Sequence, residues 1–104
     1  MTNDLKQELA AIDALDDSAR ALGKQWNDWT HAEIDRLGLT APMGLTPDEI
    51  KFSTGYQERA NAYKRAQRLH RVAVKSAMIT YGLKAYNKAR REWSDARRQA
   101  RRAS

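Results

Sequence analysis

The sequence predicts an all-α protein: a long antiparallel helical hairpin, extended to a three-helix bundle by a basic C-terminal helix. Three observations predict it. Apolar residues recur at steps of three and four through most of the chain. Glycine and proline, which punctuate strands and turns, number only five and two in 104 residues. One helix stop and one helix start flank a single loop near residue 40.

The first helix is read from its seam. Apolar residues fall at 5, 9, 12, 15, 19, 22, 26 and 29, close to a heptad repeat with a local slip at Ile12 and Leu15. Asn3 or Asp4 can cap its start by accepting backbone N–H groups. Leu37-Gly38-Leu39 supplies a left-handed glycine stop, with Leu39 placed to fold back on Ile34, and Pro42 prevents resumption. The helix is expected over 4–37, about 50 Å long at the standard rise.

Residues 38–46 form the loop. The next helix is expected to start at 47, where Leu45-Thr46-Pro47-Asp48-Glu49-Ile50 reads as a full N-terminal signature. Thr46 would cap, Pro47 would take the first helical position, and Glu49 would close a capping box. Leu45 and Ile50 would form a hydrophobic staple. No comparable stop follows, so this helix is expected over 47–81.

Gly82 then decides the topology. A helix running unbroken from 47 to about 102 would be near 84 Å long, far beyond its 50 Å neighbour. The chain therefore turns or kinks near Gly82 and returns as a third helix over 83–102, or that part projects onto another subunit; the three-helix reading is preferred. The last helix has a stripe of Leu83, Tyr86, Ala89, Trp93, Ala96 and Ala100. The stretch 69–86 is apolar over a broad arc (Leu69, Val72, Ala73, Val74, Ala77, Met78, Ile79, Tyr81, Leu83, Tyr86), which suits the middle of a bundle or a homodimer seam.

At 104 residues the chain is one helical domain at most, able to bury on the order of 60–70% of its unfolded surface. It has no cysteine, which excludes disulfides, thiolate metal sites and cysteine nucleophiles. The N-terminal residues do not read as a secretory signal, and the longest apolar runs are triplets. The sequence therefore reads as cytoplasmic, with no membrane partner.

Charge is the strongest functional signal. Nineteen Lys and Arg against thirteen Asp and Glu give a net +6. The charge is polarised, with −4 over residues 1–38, +4 over 47–82 and +6 over 83–104. Lys64, Arg68, Arg71 and Lys75 recur at helical spacing. Lys84, Lys88, Arg91, Arg98 and Arg102 form a second line, flanked by Arg90, Arg97 and Arg101. Such lines can follow a phosphate backbone, and arginine favours forked bonding to phosphates or carboxylates. The competing reading is that acids of the first helix neutralise the 64–75 line within the fold and that the remainder is a solvated surface.

Catalysis has little to work with. No phosphate-binding glycine loop, nucleophile elbow or zinc-protease signature is present. Asp28, His31 and Asp35 share a helix face but read as side chains solvated on the helix exterior, and His70 between arginines reads as a packed or partly exposed helix residue. No enzyme activity, metal or cofactor is expected. Most aromatics lie on seams, with Tyr86 and Trp93 the two placed best for an interface.

Two functions follow. The first is a non-catalytic basic protein that binds DNA or RNA through phosphate contacts of its Arg-rich C-terminal helix. The second is a small inhibitor or adaptor, of the phage or mobile-element type, that docks an acidic surface of a larger, nucleic-acid-processing protein complex.

Overall fold

In the computed structural model, which describes residues 3–103, the protein is all-α. Four helices appear in order: α1 (Asn3–Leu37), α2 (Asp48–Lys51), α3 (Thr54–Tyr81) and α4 (Leu83–Ala103). A short 3₁₀ turn, Pro42–Gly44, lies in the loop. No strand occurs among the described residues. The chain divides into two compact units, residues 1–15 with 69–104, and residues 16–68.

The end of α1 follows the expected chemistry. Gly38 adopts φ +65°, its N–H bonds the Asp35 carbonyl at 3.2 Å, and the Leu39 N–H bonds the Ile34 carbonyl at 3.0 Å. This is the paired bonding of a Schellman stop. The side chain of Asn3, one of the two caps expected at the start, lies outside the described residues.

The start expected at 47 is corrected. Pro47, with extended backbone at ψ 146°, precedes the four-residue α2, and no side chain caps it. Thr46 makes no capping bond, and Leu45 is 67% exposed, so the box and the staple do not form. The single helix expected over 47–81 is instead broken at Phe52 and Ser53. The Ser53 hydroxyl donates to the Ile50 carbonyl at 2.6 Å and accepts from the Tyr56 N–H at 3.3 Å. It thus closes α2 and caps α3 with one side chain, the double role for which serine is suited.

The 16–68 unit is built from aromatic rings seated on glycines. Trp26 meets Tyr56 edge-on at 5.3 Å between centroids and Tyr63 at 5.6 Å. A Cβ on Gly23 would lie 2.9 Å from the Tyr63 ring, and one on Gly55 would lie 2.6 Å from the Trp29 ring. Neither glycine breaks its helix; each lets a ring approach the backbone. Arg59 lies over Trp29 at 4.5 Å and donates to the Gly55 carbonyl at 3.0 Å, fixing that ring further. Ala19, Ile50 and Ala60 are buried beside this group. The buried Thr30 hydroxyl is satisfied by the Trp26 carbonyl at 2.8 Å.

The unit of residues 1–15 and 69–104 is aliphatic. Leu5, Leu9 and Ile12 of α1 pack with Ala77 of α3 and with Tyr86 and Ala89 of α4. Ala73, Val74, Met78, Tyr81 and Trp93 close the cluster. Three helical segments thus surround one core, as the preferred topology required. Gly82 makes the turn with φ +84°, while its N–H bonds Met78 and its carbonyl accepts from Tyr86. The broad apolar arc over 69–86 is only partly used. Leu69, Val72, Ile79 and Leu83 remain exposed.

Gly82→Ala is expected to lower stability by about 1–2 kcal/mol, the cost of a Cβ in left-handed backbone. Because nothing lies within 4 Å of a Cβ built there, Gly82→Asn should recover part of the loss. Urea unfolding midpoints of the two variants check this, and equal losses would count against a backbone origin.

Candidate nucleic-acid interface

The candidate interface is built on α4, whose sequence sorts its residues by face. At 100° per residue, Tyr86, Ala89 and Trp93 fall on one side, with Arg90 and Arg97 at its edge. Lys84, Lys88, Arg91, Arg98 and Arg102 fall on the opposite side. The inner side enters the core, where Tyr86 is 5% exposed and Ala89 2%.

The edge residues hold a buried carboxylate. Asp13 of α1 is only 7% exposed. Arg90 Nη1 donates to its Oδ1 at 3.1 Å. Trp93 Nε1 and Arg97 Nη1 donate to its Oδ2 at 2.5 and 2.6 Å. Burial pushes the Asp13 carboxyl up. The bonds from Trp93 and Arg90 and the charges of Arg90 and Arg97 outweigh it and hold the group below its ordinary value. Asp13 is therefore an anion inside the fold, compensated by two cations and an indole N–H.

This turns four of the expected binding residues toward the core or the Asp13 carboxylate. Arg90 and Arg97 are spent on Asp13, Trp93 donates to the same carboxylate, and Tyr86 is a core residue rather than an interface aromatic. Sequence reading missed Asp13. Its signal was an acid one position past the buried Ile12, facing two arginines seven residues apart with a tryptophan between them.

The outer side of α4 is different. Lys84, Lys88, Arg91 and Arg102 are exposed and form no ion pair among the described residues. Arg98 meets only its helical neighbour Asp95, at 3.6 Å and fully in solvent. Such a pair is worth little. Arg101 is exposed on the same helix. The line from Lys84 to Arg102 spans about 27 Å.

On α3, Lys64, Arg68, Arg71 and Lys75 are exposed, and the acids of α1 do not pair with them. Three of those acids are paired locally. Asp16 pairs with Arg20, Asp28 with Lys24 and Glu33 with Arg36, each within α1. The segment from Arg59 to Arg91 contains no Asp or Glu at all. The two units also differ in charge. Residues 1–15 and 69–104 hold eleven bases and five acids, whereas residues 16–68 hold eight of each. The first unit carries the whole net +6.

The other concavities offer less chemistry. A cleft of about 490 Å³ in the 16–68 unit is walled by Trp26, Tyr56 and Tyr63. Its Arg20 is already paired with Asp16 at 3.1 Å. A shallower cleft gathers Asp4, Glu8 and Tyr81, where burial and the two acids push the tyrosine hydroxyl up and keep it neutral. His31 and Asp35 are exposed, and no cluster of three His, Cys, Asp or Glu among the described residues is placed to hold a metal ion. No helix among them is long and apolar enough to cross a membrane. No protein-family model, curated protein or solved structure matches the chain.

Asp13→Ala is expected to cost about 3 kcal/mol, the low end for breaking a buried ion pair, because both arginines keep some contact with water. Since the folded Asp13 carboxyl titrates below its unfolded value, its stabilisation is full above the unfolded value. It disappears as pH falls through the folded one. Denaturation between pH 7 and pH 2 should show this loss in the natural chain and a flatter profile in Asp13→Asn.

Proposed function

We propose that the protein is a non-catalytic, cytoplasmic nucleic-acid-binding protein that grips phosphates with the outer face of α4. One observation carries the reading: Lys84, Lys88, Arg91 and Arg102 line that face without internal partners, while Arg90 and Arg97 on the same helix are consumed by the fold. Charges required for folding are thus separable from charges left for a ligand. Arg71 and Lys75, exposed in the same unit, add to the field.

The geometry of the face suits a polyanion. A line of about 27 Å covers roughly eight base-pair steps. Its contacts are long, flexible side chains on one straight helix, which reach backbone oxygens rather than a set of base edges. Phosphate contacts position a protein without reading sequence, so affinity should depend on salt far more than on sequence. Duplex and single strands would both be bound, with the shallower salt slope on single strands.

Anisotropy with labelled duplex DNA, single-stranded DNA and RNA across a salt series tests the proposal. Five phosphate contacts, from Lys84, Lys88, Arg91, Arg98 and Arg102, predict a log–log slope of about −4 to −5 on duplex DNA. Lys88→Ala/Arg91→Ala/Arg102→Ala should reduce the slope by roughly 2–3 while leaving the unfolding midpoint unchanged. Absence of binding at low salt by the folded chain would reject the proposal in favour of an acidic protein surface as the target.

A further inference from the structure

We infer that the outward face of α3 between Leu69 and Ile79 docks an acidic amphipathic helix of a partner protein. This inference is independent of the α4 face and concerns a different ligand.

The observation is an apolar seam with no cover. Leu69 is 54% exposed, Val72 59% and Ile79 78%. With Ser76 they follow one another at steps of 3, 4 and 3, the a and d positions of a heptad repeat. The residues of this stretch that meet the core are others: Ala77, which is buried, and Ala73, Val74 and Met78, which are half-buried against it. Burying large aliphatic side chains stabilises by about 1.5–3 kcal/mol each, so three left in water at coiled-coil spacing mark a surface built to be covered.

Its width argues for a helix as the cover. The four positions lie within about 80° of the helix circumference, the narrow seam of a coiled coil rather than the wide apolar arc of a surface-seeking membrane helix. The seam also lacks Trp and Phe, which such membrane helices use to enter the interface.

Its charge argues for an acidic partner. Lys75 takes a flanking position of that register and Arg71 lies beyond it on the solvent side; both are exposed and form no ion pair among the described residues, and no acid occurs anywhere in the segment from Arg59 to Arg91. In a coiled coil the flanking positions set partner choice through opposite charge. A second copy would bring the same cations against each other. The acidic α1 of a second copy fits no better. Its large apolar side chains from Leu5 to Trp29 are all buried or half-buried, so it has none left to fill the seam. The matching occupant carries aliphatic residues at a and d and Asp or Glu at the flanks.

The test uses the full chain and a four-heptad peptide with Leu at a and d and Glu at the flanking positions, beside the same peptide with Lys at the flanks. The acidic peptide should bind, and the lysine peptide should bind at least tenfold more weakly. Ile79→Glu should weaken the acidic peptide at least tenfold, and Ser76→Leu, which completes the heptad, should tighten it severalfold. Lys88→Ala/Arg91→Ala should leave it within twofold, which separates this face from the α4 line. Circular dichroism should show all these variants folded, since every altered side chain is exposed. Binding that ignores Ile79→Glu would overturn the inference. So would a dimer in sedimentation that Ile79→Glu dissociates, or capture on phosphatidylserine vesicles that the same variant abolishes.

Discussion

The arrangement of α4 depends on one buried carboxylate. α4 carries eight bases against two acids, and the two of its arginines that reach toward the core, Arg90 and Arg97, need an anion there to compensate them. Asp13 supplies it and is met by Arg90, Trp93 and Arg97. A buried ion cluster adds little net stability, because desolvation consumes most of the Coulombic gain, yet breaking one is expensive. Its effect is selective: any rotation or shift of α4 that leaves Asp13 without its donors is penalised. That constraint fixes which arginines face inward and, by the helical repeat, which cations face outward.

The two units reach stability by different means. One combines aliphatic packing of Leu5, Leu9 and Ile12 with the ionic clasp. The other lets Tyr63 and Trp29 approach bare backbone at Gly23 and Gly55 and packs Trp26 edge-on and tilted against two tyrosines. The aromatic unit is electrically balanced and the aliphatic unit holds the whole positive charge. Outside the clasp, the cations there take no part in the packing; Arg98 holds only its surface pair with Asp95, and Arg101 has an interaction of its own.

Two faces of that unit carry different chemistry. The outer side of α4 is cationic with scarcely any apolar area, which suits a hydrated polyanion. The outer side of α3 places an aliphatic seam beside cations, which suits an amphipathic helix. A protein of this size with both could join a nucleic acid to a protein, and the α4 triple variant and Ile79→Glu affect the two faces separately.

Much of this was legible before any coordinates. Steps of three and four place residues on faces whatever lies opposite, so the seam of α1 from Leu5 to Trp29, the Gly38 stop, the turn at Gly82 and the outer line of α4 could all be read from spacing. These are local properties, dictated by helix geometry and backbone sterics. What spacing cannot contain is which face meets which. The tertiary structure decided that Asp13 draws Arg90, Trp93 and Arg97 toward it, that Tyr86 is core, and that Leu69, Val72 and Ile79, part of an arc that suited either a bundle centre or a homodimer seam, stay exposed. It also decided that Ser53, rather than Thr46, caps the long helix, its hydroxyl bonding the Ile50 carbonyl and the Tyr56 N–H. Pairing across the fold is a contest among many faces for few partners, and only the folded chain settles it.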